Sequence, residues 1–260
     1  MFPPFPAQRG DAEIRTGRRR GVLILAVGLP LALSQAGSVR FSIDHPAGTQ
    51  AEPSSGPHDA TSHHSFEDVQ RWVSVFDDPD RDLWQKPTEV VRQLGLKPGQ
   101  KVADLGAGTG YFLKYLSAVV GDQGTVWALD TEPNMVGYMK SRVAKEGLKN
   151  VRPQLCPADS PGLPSRSADL FLIVDTYHHI DDRLNYLGRL QRALAPGGRV
   201  AIVDFRKDVD PPPGPPREHR LDRKIVVSEF EQAGWKLVED SHLLRPQYFL
   251  IFQPRDPTRR

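Results

Sequence analysis

One glycine loop and a handful of aspartates carry most of the chemistry this chain can offer. Asp104 precedes Gly106-Ala107-Gly108-Thr109-Gly110, with a glycine at every second position. Glycine lets a tight turn take positive φ and lets a ligand approach the backbone with no side chain in between. Asp130 stands 20 residues after Gly110. An acid at that distance, at the tip of a second strand, can accept both hydroxyls of a ribose. A third group follows at Asp175, Tyr177, His178 and His179. Histidine has the right pKa for a general base. Asp175, His178, Asp181 and Asp182 could instead be drawn as a metal site, or a histidine could simply pack under the next helix or cap it.

These residues need elements to hold them. Lys101–Leu105 reads as a buried strand, and Tyr111, Leu113, Leu116, Val119 and Val120 recur at helical spacing after the loop. Strand, glycine loop and helix open a nucleotide-binding α/β unit, whose helix N-terminus offers free N–H groups. Two nucleotide fingerprints fail. In G-x-G-x-x-G the third glycine would fall at Tyr111, and no Lys-Ser or Lys-Thr completes a phosphate loop. Thr125–Leu129 is a second strand ended by Asp130, Pro133–Leu148 a helix, and Val151–Cys156 a third strand. Leu170–Val174 is continuously apolar, as a central strand covered on both faces should be. A helix from Asp181 through Leu194 should end at Ala195-Pro196-Gly197-Gly198, with glycine at C′. Arg199–Phe205 is the fifth strand, Val226–Gly234 a helix, and 235–239 and 248–252 the last two strands. The glycine loop, Asp130, Asp159 and Asp175 then all lie at strand carboxyl ends, where open α/β sheets bind ligands.

The run D-x-G-x-G-x-G from Asp104 to Gly110 resembles motif I of the class I S-adenosylmethionine (SAM) methyltransferases. Leu190-x-x-x-Leu194-Ala195-Pro196-Gly197-Gly198 resembles a second signature of that family, and Leu163-Pro164 with Ser167-Ala168-Asp169 its lead-in to the fourth strand. The resemblance, to the broad type 11 group, covers roughly residues 84–253. It implies an α/β, Rossmann-like seven-stranded sheet, mostly parallel with an antiparallel last strand and helices on both faces. It also implies S-adenosyl-L-methionine as cofactor. Asp104, Gly106, Ala107, Gly108 and Gly110 would hold its methionine end, and Asp130 its ribose. Met135 would lie against adenine, and Asp159 would accept the adenine amino group. Trp84, before motif I, would roof the site or belong to the core. His178 and Asp175 are the candidates for proton transfer, and no metal ligand set is assigned. The acceptor implied is a small molecule. Two rivals stay open: a non-catalytic SAM-binding or interaction module of the cell envelope, and a nicotinamide-dependent oxidoreductase, which Tyr111 and the lack of a Tyr-x-x-x-Lys pair disfavour.

Composition narrows the rest. The 260 residues are 38% hydrophobic and include 24 prolines, which points to sequence outside the core. The net charge of +2 comes from 34 basic and 32 acidic residues. Residues 1–36 hold five Arg and two acids, a balance of +3, so the remainder carries −1. The basic pI of 8.7 is owed to that leader and gives no case for nucleic-acid binding. The single cysteine, Cys156, allows no internal disulfide and no cysteine metal cluster; it reads as a small buried hydrophobe. Arg18-Arg19-Arg20, an apolar run Val22–Leu33 and Ser34-Gln35-Ala36 follow a secretory pattern. Residues 1–36 are therefore expected to be a signal peptide or membrane anchor that exports the chain, touching a membrane transiently; a cytoplasmic location is the alternative. Residues 37–64 read as a disordered linker, 65–253 as the domain with a helical cap over 65–97, and 254–260 as a tail. Ser65 and Asp68 resemble a capping box. The oligomeric state has no signal in the sequence.

Overall fold

The computed structural model describes residues 68–209 and 214–255. The expected leader, linker and tail, together with Ser65, lie outside them. Apolar runs become strands where they were expected: β1 Lys101–Leu105, β2 Thr125–Asp130, β3 Val151–Leu155, β4 Ala168–Val174, β5 Leu194–Phe205, β6 Trp235–Ser241 and β7 Gln247–Pro254. They form one seven-stranded sheet in the order β3-β2-β1-β4-β5-β7-β6. β3, β2, β1, β4 and β5 run parallel, and β7 is antiparallel to both β5 and β6. β1 and β4 are neighbours, and the chain leaves them in opposite directions across the sheet. That is the switch point at which such sheets open a ligand crevice.

Strand alternation feeds two cores. Val102, Leu172, Ala201 and Ile251 face one cluster with Leu113 and Leu116 of α4 (Leu113–Val120) and with α3 (Pro87–Gln93) and α5 (Pro133–Glu146). Ala103, Phe171, Ile202 and Leu250 face the other, with α6 (Arg183–Ala193) and α7 (Arg223–Gln232). Successive side chains of a strand point to opposite faces, so β4 can be apolar throughout and still serve both layers. Cys156 is buried just after β3. Among the described residues, no helix is long and apolar enough to cross a membrane.

Two expectations about element ends are corrected, and the helical cap resolves into three short helices. Asp68 caps α1 (Val69–Phe76) itself, accepting the Arg71 N–H at 3.2 Å, rather than closing a box begun at Ser65. The helical stretch before β1 is broken into α2 (Arg81–Gln85) and α3, because Lys86 takes φ +46° and Pro87 opens α3. Finally, α6 does not run to a glycine C′. It starts after Asp182, not Asp181, and stops at Ala193; Leu194 is already extended and pairs with Ala168. The next β4–β5 pair is Leu170 with Arg199. Pro196-Gly197-Gly198 is therefore the excess chain of a bulge, where a Cβ on Gly198 would lie 2.9 Å from the Ala195 carbonyl.

Candidate active site

The glycine loop is held by bonds that point inward. The N–H groups of Gly106 and Ala107 donate to the Leu129 carbonyl at 2.8 and 3.0 Å, and that of Gly110 to the Ala107 carbonyl at 2.8 Å. The Gly108 N–H donates to Asp130 Oδ2 at 2.8 Å. Four of the loop's N–H groups are thus already bonded within the protein. Gly106, at φ +73°, sits against Thr176; a Cβ there would come within 2.3 Å of the Thr176 side chain. The Thr176 hydroxyl donates to the Val174 carbonyl at 2.8 Å and lies 3.4 Å from that of Gly106. The ends of β1 and β4 are locked together there.

Acids surround this loop. Asp104 is 3% exposed and Asp130 8%. Asp130 Oδ1 accepts the Glu132 N–H at 3.0 Å. A carboxylate has about four acceptor positions, so both oxygens keep capacity for a ribose diol. Met135 is buried on the first turn of α5. Asp159 is placed differently. Its side chain is 69% exposed and ion-paired with Arg189 of α6.

The sequence reading missed the cation at the centre. Arg81 of α2 lies 4.1 Å from the centroid of the Tyr111 ring and 3.9 Å from Asp175 Oδ2. It donates to the Phe76 carbonyl at 2.8 Å and to Gln85 Oε1 at 3.1 Å. Gln85 donates to Gln247 Oε1 at 2.7 Å, and Gln247 to Asp175 Oδ1 at 2.7 Å. The circuit ties α2 to β7 and fixes Asp175, which holds φ +50° without being glycine. Around it, α1 and α2 are pinned over the loop. Asp77 accepts from Arg142 of α5 at 2.9 Å and from Thr109 Oγ1 at 3.0 Å, and Tyr111 donates to Asp82. Trp84 lies further along, tilted against Phe205 at the end of β5 with centroids 5.7 Å apart. The Arg81 guanidinium lies 5.8 Å from the centroid of the Trp84 ring.

His178 belongs to a short 3-10 turn, Tyr177–His179. Its Nδ1 is 2.8 and 3.0 Å from the two oxygens of Asp204, at the end of β5. Both residues are buried, and Asp204 also accepts the Phe205 N–H at 2.8 Å. Against a carboxylate, Nδ1 carries the proton and Nε2 keeps the basic lone pair. Burial alone would lower the pKa of His178, but the charge and hydrogen bond of Asp204 outweigh it and the pKa rises. Asp181 and Asp182 are exposed, and Asp182 caps α6. Among the described residues, no group of three or more His, Cys, Asp or Glu gathers as a metal site.

The buried acids have a consequence for stability. Burial pushes Asp104 up to about 7, although Arg81 pulls it down. Burial and the charge of Asp204 push Asp175 up to about 7. The folded chain therefore keeps protons between about pH 4 and 7 that the unfolded chain has released. Stability must then fall as pH rises through that window, by at most about 1.4 kcal/mol per unit for each group. His178, whose pKa is raised, adds a loss of the same sign. We expect the urea midpoint of the ligand-free chain to be higher at pH 5.5 than at pH 8, and Asp104→Asn to flatten the difference. A midpoint rising toward pH 8 would contradict these assignments.

A mostly parallel sheet with a switch-point glycine loop, an acid at the tip of β2 and an antiparallel β7 defines the class I SAM-dependent methyltransferase fold. Residues 96–243 match the family described as a methyltransferase domain, and the chain belongs to that family. A solved SAM-dependent methyltransferase from Aquifex aeolicus is 30% identical, with a TM-score of 0.68, over 73% of this chain and 98% of its own. The ubiquinone/menaquinone biosynthesis C-methyltransferase UbiE of Cupriavidus taiwanensis is 30% identical over 154 residues, 59% of this chain and 58% of its own length. That of Vibrio campbellii is 31% identical over 128 residues, 49% of each. The chain thus spans about half the length of the curated relatives it matches. The [4+2]-cyclase SpnF shares the fold at a TM-score of 0.53 and 17% identity, over 60% of this chain and 58% of its own.

The side chains here suit SAM. Asp104 would be available to its ammonium group, Asp130 to its ribose diol and Arg81 to its carboxylate. A dinucleotide's pyrophosphate would instead meet two buried acids, Asp104 and Asp130, and a loop partly bonded inward.

Proposed function

We propose that this chain methylates a small-molecule acceptor, with His178 removing the acceptor's proton. Bound SAM supplies a methyl group that is already electrophilic, on a sulfonium. What the protein must add is position, exclusion of water and a place for the proton. Asp104, the glycine loop, Asp130 and Arg81 provide the first. The pinned helices α1 and α2 provide the second. His178 Nε2 provides the third, with Asp204 holding the ring and stabilising the imidazolium that forms.

The observation that carries this reading is the buried His178–Asp204 pair at the ends of β4 and β5. Incubation of the chain with methyl-labelled SAM and a small-molecule extract tests it. Label should appear in a low-molecular-weight product, and much less of it with His178→Gln. SAM binding with the label never leaving the donor would support a non-catalytic module instead.

A further inference from the structure

We propose that the groove between the start of α7, the end of β6 and the residues after β5 is the methyl-acceptor site, and that Tyr248 binds an ionisable hydroxyl of the acceptor. The inference rests on the methyltransferase reading above and names the kind of molecule it would act on.

The groove encloses about 460 Å³, enough for a single-ring molecule or a somewhat larger one. It is lined by Arg206 and Asp208 after β5, Asp222 and Lys224 at α7, and Ser241 at the end of β6, with Tyr248 of β7 among them. β5 and β6 point the same way, so all these positions lie at the end of the sheet that also holds the glycine loop.

Most of the lining is already satisfied. Arg206 pairs with Asp208 at 2.8 Å, and Arg223 pairs with Asp240. Asp222 accepts the Lys224 N–H at 2.8 Å as the cap of α7. The Tyr248 hydroxyl is not, and the side chains of Lys207, Lys224 and His242 line the groove beside it. Tyr248 is 3% exposed, and its oxygen finds no hydrogen-bond partner among the described residues. A buried hydroxyl without a partner costs about 1–3 kcal/mol. Such a group calls for a partner, and a bound ligand can supply one.

Its setting indicates what the ligand must offer. Tyr248 pairs in register with Asp204, the carboxylate that holds His178. Burial, then Asp204 and Asp175, raise its pKa well above 10, so the hydroxyl stays protonated and donates. The ligand must therefore present an acceptor atom to Tyr248 and, in the same molecule, a proton that an imidazole can take. An aliphatic hydroxyl is too weak an acid for that. A hydroxyl of phenol or enol acidity meets both needs. The acceptor O–H bond would break with its proton passing to His178 Nε2, leaving the electron pair on an oxygen that accepts from Tyr248.

The test uses 4-nitrophenol and nitrobenzene as probes on the full chain, read by calorimetry in the presence of SAM. Wild type should prefer 4-nitrophenol by roughly ten-fold, and Tyr248→Phe should remove that preference. The variant should bind SAM normally and melt no lower than wild type, since an unpaired buried hydroxyl has been taken out. A merely structural tyrosine would show the reverse, a lower melting temperature with the preference intact. Equal preference in the two proteins, with SAM bound by both, overturns this proposal and leaves the methyltransferase reading standing. Failure of wild type to bind SAM overturns both.

Discussion

His178→Gln is expected to lower turnover by about 10²–10³-fold while SAM affinity stays within two-fold. General-base catalysis contributes on that scale. Glutamine can still donate to Asp204, so the carboxylate is not left unpaired, but it has no basic nitrogen to replace Nε2. His178→Ala is the less informative change, because it would strand a buried charge at a cost of about 3–5 kcal/mol. Asp204→Asn should follow His178→Gln in direction. An amide can offer its N–H to Nδ1, which would move the ring proton to Nε2 and leave no base facing the acceptor. Single-turnover rates with saturating SAM, alongside calorimetric SAM affinity, separate the two effects. Unchanged turnover in His178→Gln with SAM bound would leave the pair a structural contact only.

Gly106→Ala should be the most damaging change outside the acid–base pair. The added Cβ would meet Thr176 at 2.3 Å, and alanine would have to hold φ +73°. Backbone strain and overpacking each cost about 1–3 kcal/mol, so destabilisation of about 2–5 kcal/mol is expected. SAM affinity should fall with it, because relief of the clash separates β1 from the 175–176 turn and moves the loop. Gly147→Ala is the control. Gly147 also has positive φ, but a Cβ there meets nothing within 4 Å; it should cost less and leave SAM binding intact. Thermal melts and calorimetry on both variants check this, and equal loss of SAM binding in the two would contradict it.

The sheet and half of the site could be read from the sequence, for physical reasons visible in particular residues. Continuous apolar runs such as Leu170–Val174 leave a strand little choice, and the Gly106, Gly108 and Gly110 alternation marks backbone that must turn sharply. Asp130 follows from chain length alone, since one helix and one strand carry the chain back beside the loop. Asp204 could not be found that way. It looks like any acid at a strand end, and only the β4–β5 pairing brings it to His178, 26 positions earlier. Arg81 opens the short helix α2 within an acidic stretch, and its burial depends on how α2 docks. Tyr248 reads as one more apolar residue of a buried strand; only the finished packing shows its hydroxyl unpaired. Element ends were misread for a related reason. Proline and glycine at 196–198 look like a helix stop, yet the extended conformation of Leu194 is set by its pairing with Ala168.

The central claim is that the loop and its acids hold SAM rather than a dinucleotide. Titration of the chain from about Ser65 onward with SAM and, separately, with NAD tests it most directly by calorimetry. SAM should bind and NAD should not, and Asp130→Ala should weaken SAM by about 1.5–3 kcal/mol through loss of hydrogen bonds to a charged acceptor. Tight NAD binding with no heat from SAM would contradict the account.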